Sequence, residues 1–442
     1  MEFLHNFVSQ NGVMISAIIL ILAYIFIALE KIPKVTIALF GGVVTILLGL
    51  ISQDKMTPDG ALNHLYFINF IDFNVIFLLV SMMIIVSITA KTGVFNYLAN
   101  NFLKMTKGHP IKILIVLGVF TAVVSAFLDN VTTVILIMPI TFSIAKKLEI
   151  NPISFLITEI FCSNIGGTAT LIGDPPNIII GSAAGFGFMD FVKELTLVVV
   201  IIMVAVVAFL TACFKKQLVA SKEKMALAAN IDNSGVITDY VSMWRSVIVL
   251  SLVIVGFVLH DVTHIETSIM AMFGASILLF FEKPTKILEE VEWNTIFFFI
   301  GLFIIIGGLE ATGGIKLMAQ WIIDVTDGSQ SIASMIILWG SGIISGIIDN
   351  IPYTATMAPM IAQMQVVMGS EYAYPIWWCL SLGACLGGNL TIIGAAANVI
   401  VSENAAKHGH PISFMGFMKY GVVVVLISLI LSSAYIYLRF LN

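Results

Sequence analysis

Two aspartate–asparagine pairs, set in a chain with few charges, are the residues best placed to do chemistry. Asp129-Asn130 lies in S-A-F-L-D-N-V-T-T and Asp349-Asn350 in S-G-I-I-D-N-I-P-Y, 220 residues further on. In apolar surroundings an ionised carboxylate is costly, so each must be paired, cation-bound or protonated during a working cycle. A carboxylate whose proton affinity is raised by desolvation can release that proton when a cation arrives. That is exchange chemistry without a long relay. The amides of Asn130 and Asn350 add an acceptor for an ion and donors to hold the backbone, so a sodium site is expected at these four residues. Both pairs can equally cap the helix that follows, and the two roles are compatible.

A second repeated feature accompanies them. G-G-T-A-T-L-I-G-D-P-P-N from Gly166 to Asn177 returns as G-G-N-L-T-I-I-G-A-A-A-N from Gly387 to Asn398. Glycine permits close approach and proline ends a helix, so Gly166-Gly167, Pro175-Pro176 and Gly387-Gly388 are placed to break two membrane crossings midway. Such backbone is tolerated at membrane depth only where protein or a water-filled cavity satisfies its polar groups. The freed amides and carbonyls, with Ser163, Asn164, Thr168, Thr170, Asn177, Asn389, Thr391 and Asn398, are candidate ligands for a small ion or solute. A lone Gly-Gly reads more simply as close helix packing. Two copies in register beside two D-N pairs favour a site. Asp174 has no acidic counterpart, because Ala395 stands at the matching position. It is either an extra proton-coupling group or a cap before Pro175-Pro176. Glu159, in I-T-E-I-F, is a further candidate for proton handling, with a local structural partner as the alternative. Asp72, Glu292 and Glu310 fall at expected helix ends, where capping or interface roles fit.

The elements that must position these residues are membrane helices. The chain of 442 residues is 59% hydrophobic and 11% charged, where soluble domains carry about 25% charged residues. Apolar runs at Met14–Ala28, Val35–Ile51, Val75–Ala90, Leu195–Phe214, Val247–Leu259, Thr295–Leu309 and Val422–Leu438 are near the ~20 residues a crossing needs. No small-residue cleavage site follows the first run, which therefore reads as a span. Of the 21 lysines and arginines, all but Lys55, Lys193, Lys316 and Arg439 can share the cytoplasmic side on one path. On that path both termini are outside and Ile111–Ile144 and Ile332–Met368 are re-entrant hairpins with the D-N pairs at their tips. The crossings Pro152–Phe188 and that through Gly387–Asn398 are broken. Five crossings in the first half invert the second. The expected fold is an all-α polytopic membrane protein with about ten full spans plus two hairpins. Residues 1–214 form a first repeat, 215–242 a cytoplasmic linker, and 243–442 an inverted second repeat.

The same residues exclude other classes. Cys162, Cys213, Cys379 and Cys385 lack metal-ligand spacing, and seven histidines in or beside loops form no H-E-x-x-H pattern. A membrane enzyme would want a nucleophile or metal cluster near the interface, and a passive channel would not need two re-entrant tips. No cofactor and no nucleic-acid partner are implied; sodium and protons enter as cargo or coupling ions.

The stretches F-L-D-N-V-T-T-V-I-L-I-M-P at 127–139, N-I-G-G-T-A-T-L-I-G-D-P-P-N at 164–177 and G-A-C-L-G-G-N-L-T-I-I-G-A-A-A-N at 383–398 resemble the ion transporter superfamily. Within it they are most similar to the arsenite-permease-like branch, which includes the P protein and sodium/proton antiporters of the NhaD type. The resemblance covers nearly the whole chain. It implies a homodimer in the inner (plasma) membrane, with a scaffold for dimerisation and a transport part that moves like an elevator. It also implies that Ser163-Asn164 with Thr168, and Asn389 with Thr391, stand where substrate or sodium ligands occur. The spacing departs from the paired S-N-T triplets of carboxylate transporters. The expected function is secondary sodium/proton antiport, because no repeated arginine or lysine stands in the breaks to clamp an anion. The alternative is a carrier of arsenite, another oxyanion or a small carboxylate, with Asp129 and Asp349 binding the coupling ions.

Overall fold

The computed structural model describes residues 2–51, 55–56, 62–63, 66–230 and 232–442. The side chain of Lys55, expected on the outer side, lies outside the described residues. Apart from a two-residue antiparallel pair, Lys55–Met56 with Leu62–Asn63, the regular elements are helical.

The first half runs through α1 (Glu2–Leu29), α2 (Lys34–Leu47), α3 (Phe73–Lys91), α4 (Val94–Met105), α5 (Pro110–Ser125), α6 (Asn130–Leu148), α7 (Ile153–Gly167), α8 (Pro175–Ala184) and α9 (Phe188–Phe214). Between the halves lies α10 (Lys222–Ala229), within the stretch expected as the linker. The second half continues with α11 (Tyr240–Val258), the short α12 (His260–Thr263), α13 (Thr267–Leu279), the short α14 (Pro284–Leu288), α15 (Trp293–Ala311) and α16 (Gly314–Val325). It ends with α17 (Gln330–Ile348), α18 (Asn350–Met368), α19 (Ser370–Gly387), α20 (Ala396–Lys407) and α21 (Phe414–Ile436).

Eight helices among the described residues are long and apolar enough to cross a membrane. Two of the eight, α6 and α17, are hairpin arms; the count of about ten full spans is reached with the other six, with α2 and α13, which are 14 and 13 residues long, and with each broken pair counted once. Exposed apolar side chains, such as Ile21, Val204, Leu252 and Leu426, form the outer face. In a bilayer that face needs no partner but lipid.

Local sequence explains the elements around the site. Asp129 ends the approach of α5 and caps α6, its carboxylate accepting from Thr132 N at 2.9 Å. Asp349 does the same for α18, accepting from Ile351 N at 3.0 Å. Each second hairpin arm carries a mid-helix proline, Pro139 and Pro359, at matched positions. Pro175-Pro176 open α8, where their missing N–H groups cost nothing. Asp72 caps α3 as expected, accepting from Asn74 N and Val75 N. Between α3 and the first hairpin, and again between α15 and the second, the chain turns at a left-handed glycine, Gly93 and Gly313, into the amphipathic α4 and α16. These two helices have no counterpart in the expected topology, since their 12 residues are too few and too polar for a span.

Packing repeats with the element order. In each half the first hairpin arm lies along the first part of the broken crossing, α5 on α7 and α17 on α19. The halves also exchange partners: α2 packs along α15, and α13 along α3. Both hairpin tips and both breaks are thereby brought to one place.

Candidate functional site

Asp174 stands where the tips meet. Asn130 Nδ2 donates to Asp174 Oδ1 at 3.2 Å, and Asn350 Nδ2 donates to Asp174 Oδ2 at 3.3 Å. The carboxylate is fully buried, and among the described residues no lysine or arginine pairs with it. It caps no backbone N–H of α8. Of the two readings of Asp174, the helix cap is therefore not what its side chain does here. The Cys385 thiol also lies against it. A buried carboxylate answered by neutral donors alone has unmet capacity for a proton or cation.

Behind it runs a chain of amides. Asn130 Nδ2 also reaches Asn164 Oδ1 at 3.2 Å, and Asn164 Nδ2 donates to Asn389 Oδ1 and Asn398 Oδ1, each at 2.9 Å. The breaks are stapled in matched fashion. Asn177 Nδ2 donates to the carbonyls of Thr168 (3.1 Å) and Thr170 (2.9 Å), and Asn398 Nδ2 to those of Gly388 (2.7 Å) and Thr391 (2.9 Å). Thr391 Oγ1 donates to Gly346 O at 2.6 Å, and Thr170 Oγ1 to the corresponding Ala126 O. Cys385 Sγ and Ser381 Oγ both donate to Asn177 Oδ1. Cys385 stands at the position matching Asn164, so each break is held by the other half of the chain.

A cavity of about 360 Å³ opens beside Asp174. Among the described residues, six carboxylates line it, those of Glu30, Asp129, Asp174, Glu292, Asp349 and Glu403, together with one amine, Lys34. Lys34 Nζ is 3.3 Å from Asp349 Oδ2. The backbone of Asp349 is held at φ 114°, a conformation that costs a non-glycine residue about 1–3 kcal/mol and persists only where surroundings enforce it. Asn350 N donates to Gly394 O at 3.2 Å, and Tyr24 Oη to Pro352 O at 2.5 Å, which fixes the chain on either side.

Among the expected site residues, Asp129, Asn130, Asp174, Asp349 and Asn350 line the cavity. Ser163, Asn164, Thr168, Thr170, Asn177, Asn389, Thr391 and Asn398 do not; they are buried behind it, Ser163 donating to Ser125 Oγ and Asn130 O and the others in the network just described. Gly166, Gly167, Gly387 and Gly388 lie where the broken crossings turn, pressed against backbone of the adjoining elements. Glu159 is buried on α7, hydrogen-bonded by Thr141 of α6, away from the cavity wall.

Glu30, Lys34 and Glu403 were not expected at the site, Lys34 being grouped with the cytoplasmic lysines, and Glu292 was expected at a helix end with a capping or interface role. Glu292 accepts from Thr295 Oγ1 at 3.1 Å and no backbone N–H of α15, so the capping reading does not describe its side chain. Ala396, Val399, Ile400 and Glu403 all line the cavity, the i, i+3, i+4, i+7 face of α20. That spacing was available in the sequence. The convergence of Lys34 on Asp349, 315 residues away, was not.

A helical bundle with membrane-spanning faces and a polar pocket at two broken crossings defines a polytopic membrane transporter. The family model described as CitMHS, citrate transporter, matches residues 24–383, and the chain belongs to that family. It is 42% identical over 429 residues to an uncharacterized transporter of Mycobacterium tuberculosis, covering 96% of this chain and 98% of that protein. A 46 kDa membrane protein of Mycobacterium leprae is 41% identical, with 97% and 99% covered. The P protein of Homo sapiens is 28% identical over 97% of this chain and 60% of its own length, in keeping with the branch the motifs resemble. Among solved structures, the YdaH transporter of Alcanivorax borkumensis shares the fold, with a TM-score of 0.57 at 11% identity, covering 94% of this chain and 97% of that one.

Proposed function

We propose that this secondary transporter exchanges a monovalent cation, sodium in the first instance, for protons across the plasma membrane. The observation that carries this reading is the lining of the cavity, six carboxylates against a single lysine that is already paired. Such a surface concentrates cations and repels multiply charged anions. Each carboxylate can hold a proton or a metal cation but not both, which is the elementary requirement of exchange. Asp174, bridged by Asn130 and Asn350, is the best placed coupling group, with Asp129 and Asp349 beside it.

A second reading has support of its own. The N-termini of α6, α8, α18 and α20 all begin at or beside the cavity, and helix N-termini favour anions. With Lys34 and the family's citrate description, these would suit a small carboxylate carried with coupling ions on the aspartates. The carboxylates of the wall weigh against it.

The repeated element order and the lysine bias support an inverted second half. On that orientation Glu30, Glu292 and Glu403 stand at the cytoplasmic side, and this conformation is open inward. An elevator movement of the hairpins and broken crossings in a homodimer follows from the family resemblance.

Proton flux across proteoliposomes under an imposed pH gradient tests the reading. Sodium or lithium is expected to drive proton release in the wild type, with loss of about a hundredfold or more in Asp129→Asn and Asp349→Asn. A response to citrate or arsenite with none to cations would overturn it in favour of the second reading.

A further inference from the structure

Lys34, the one amine lining the cavity among the described residues, is not placed as an anion clamp. It sits on a carboxylate, and the two hairpin tips show why. Asp129 receives both N–H and Oγ1 of Thr132, at 2.9 and 2.5 Å. At the matching position of the second tip stands Pro352, which has neither a hydroxyl nor an N–H to give. Asp349 therefore keeps one backbone donor, Ile351 N, and takes its second partner from outside the hairpin, Lys34 of α2. Lys34 has no equivalent in the other half: α13, which packs on α3 as α2 packs on α15, begins with Thr267. The lysine side chain is about a third exposed while Asp349 is almost fully buried, so the amine can swing into the cavity and the carboxylate cannot follow. Lys34 Nζ also lies 5.1 Å from the Phe298 ring centroid, a second resting contact on the same side.

We infer that the Lys34 ammonium is a built-in competitor for the transported cation at Asp349, and that its displacement frees the second hairpin tip from α2. This rests on the cation-exchange reading. The incoming cation replaces one positive charge by another at Asp349, so the buried carboxylate is never left bare. It also breaks an ion pair between α2 and the hairpin, leaving Tyr24 on Pro352 as the remaining tie from α1. The pair thus sets the affinity for the cation and links binding to release of the tip. Lys34 acts through Asp349 and is a positioning residue.

The test is the sodium dependence of proton flux in proteoliposomes of the full chain at alkaline pH, where proton competition for carboxylates is least. Wild type is compared with Lys34→Arg, Lys34→Gln and Lys34→Met, each first checked for a monodisperse gel-filtration peak. Losing the competitor is expected to lower KM for sodium by about three- to tenfold in Lys34→Gln and Lys34→Met. Maximal rate falls as well, because the cation leaves more slowly. Lys34→Arg keeps the charge and stays close to wild type in KM. An unchanged or raised KM in both neutral variants, with sodium-driven flux intact, overturns this inference alone. Absence of any cation-driven flux in the wild type overturns both it and the exchange reading. A neutral variant that does not yield monodisperse protein is judged by the other, and if both fail, Lys34 is a structural residue and the inference falls.

Discussion

Asp174 separates two kinds of buried acid. Asp129 and Asp349 each cap a helix, and Asp349 has a lysine besides, so part of their charge is answered within the fold. Asp174 leaves α8 uncapped and meets neutral donors, the amides of Asn130 and Asn350 and the Cys385 thiol. If its work is structural, removing its charge should leave two donors unsatisfied and destabilise the protein. If its work is to carry a proton or cation, an amide of the same shape should abolish the coupling while its oxygen keeps the Asn130 bond and its NH2 donates to Asn350, whose own amide turns over to accept. Asp174→Asn is expected to reduce cation-driven proton flux by about a hundredfold or more while the melting temperature in detergent stays unchanged or rises. A fall of several degrees with residual coupled flux would return Asp174 to a structural role. The asymmetry with Ala395 was legible in the sequence, and so was the choice between cap and coupling group. What the sequence could not supply is that Asp174 leaves α8 uncapped and instead meets two asparagines from opposite halves of the chain.

At the scale of elements, the hairpins are held against the broken crossings by contacts that admit no side chain. A Cβ added at Gly166 would meet the backbone of Ala122 on α5, and one at Gly387 would meet Gly342 O and Ser345 Oγ on α17. Backbone cannot swing aside as a flexible side chain would. Gly166→Ala and Gly387→Ala are each expected to cost about 1–3 kcal/mol, seen as a lower melting temperature of the purified protein, with flux falling in proportion to the folded fraction. Little change in either variant would mean that the helices can part by a few tenths of an ångström without loss. These glycines, the D-N tips and the G-D-P-P-N block made the order of hairpin and break legible, since each needs a residue type that a plain membrane helix avoids. The amphipathic α4 and α16 were not read, because a search for apolar spans passes over 12-residue segments with a polar face. Thr92-Gly93 and Thr312-Gly313 recur in the sequence at the same spacing as the D-N pairs, and the left-handed glycines stand where these two helices start. The exchange of α2 and α13 between halves left no trace in the sequence, since it is a matter of which apolar faces meet.

The whole molecule raises the question of which side the cavity serves. Four of its unforeseen lining residues, Glu30, Lys34, Glu292 and Glu403, lie near Lys31, Lys286 and Lys407 in the chain. On the proposed orientation, which rests on lysine bias, all of these would face the cytoplasm. Lys193 near the start of α9 and Lys316 in α16 are exposed and belong on the opposite face by the same rule. An inverted second half makes a definite demand here, because Lys193 and Lys316 come from different halves yet must share a side. Single cysteines at these positions decide it. Three of the four native cysteines are buried and Cys213 is partly so, so a Cys213→Ala background leaves little reactive thiol. Lys193→Cys and Lys316→Cys are expected to react with a membrane-impermeant maleimide only from the outside of intact cells. Glu403→Cys should react only in inside-out vesicles, more slowly when sodium and an opposing pH gradient drive the hairpins across. Labelling of Lys193→Cys and Lys316→Cys from opposite sides would mean that the halves are not inverted, and the elevator reading would lose its symmetry. Labelling of Glu403→Cys from outside, with both lysine positions as expected, would keep the inverted halves and turn the cavity outward.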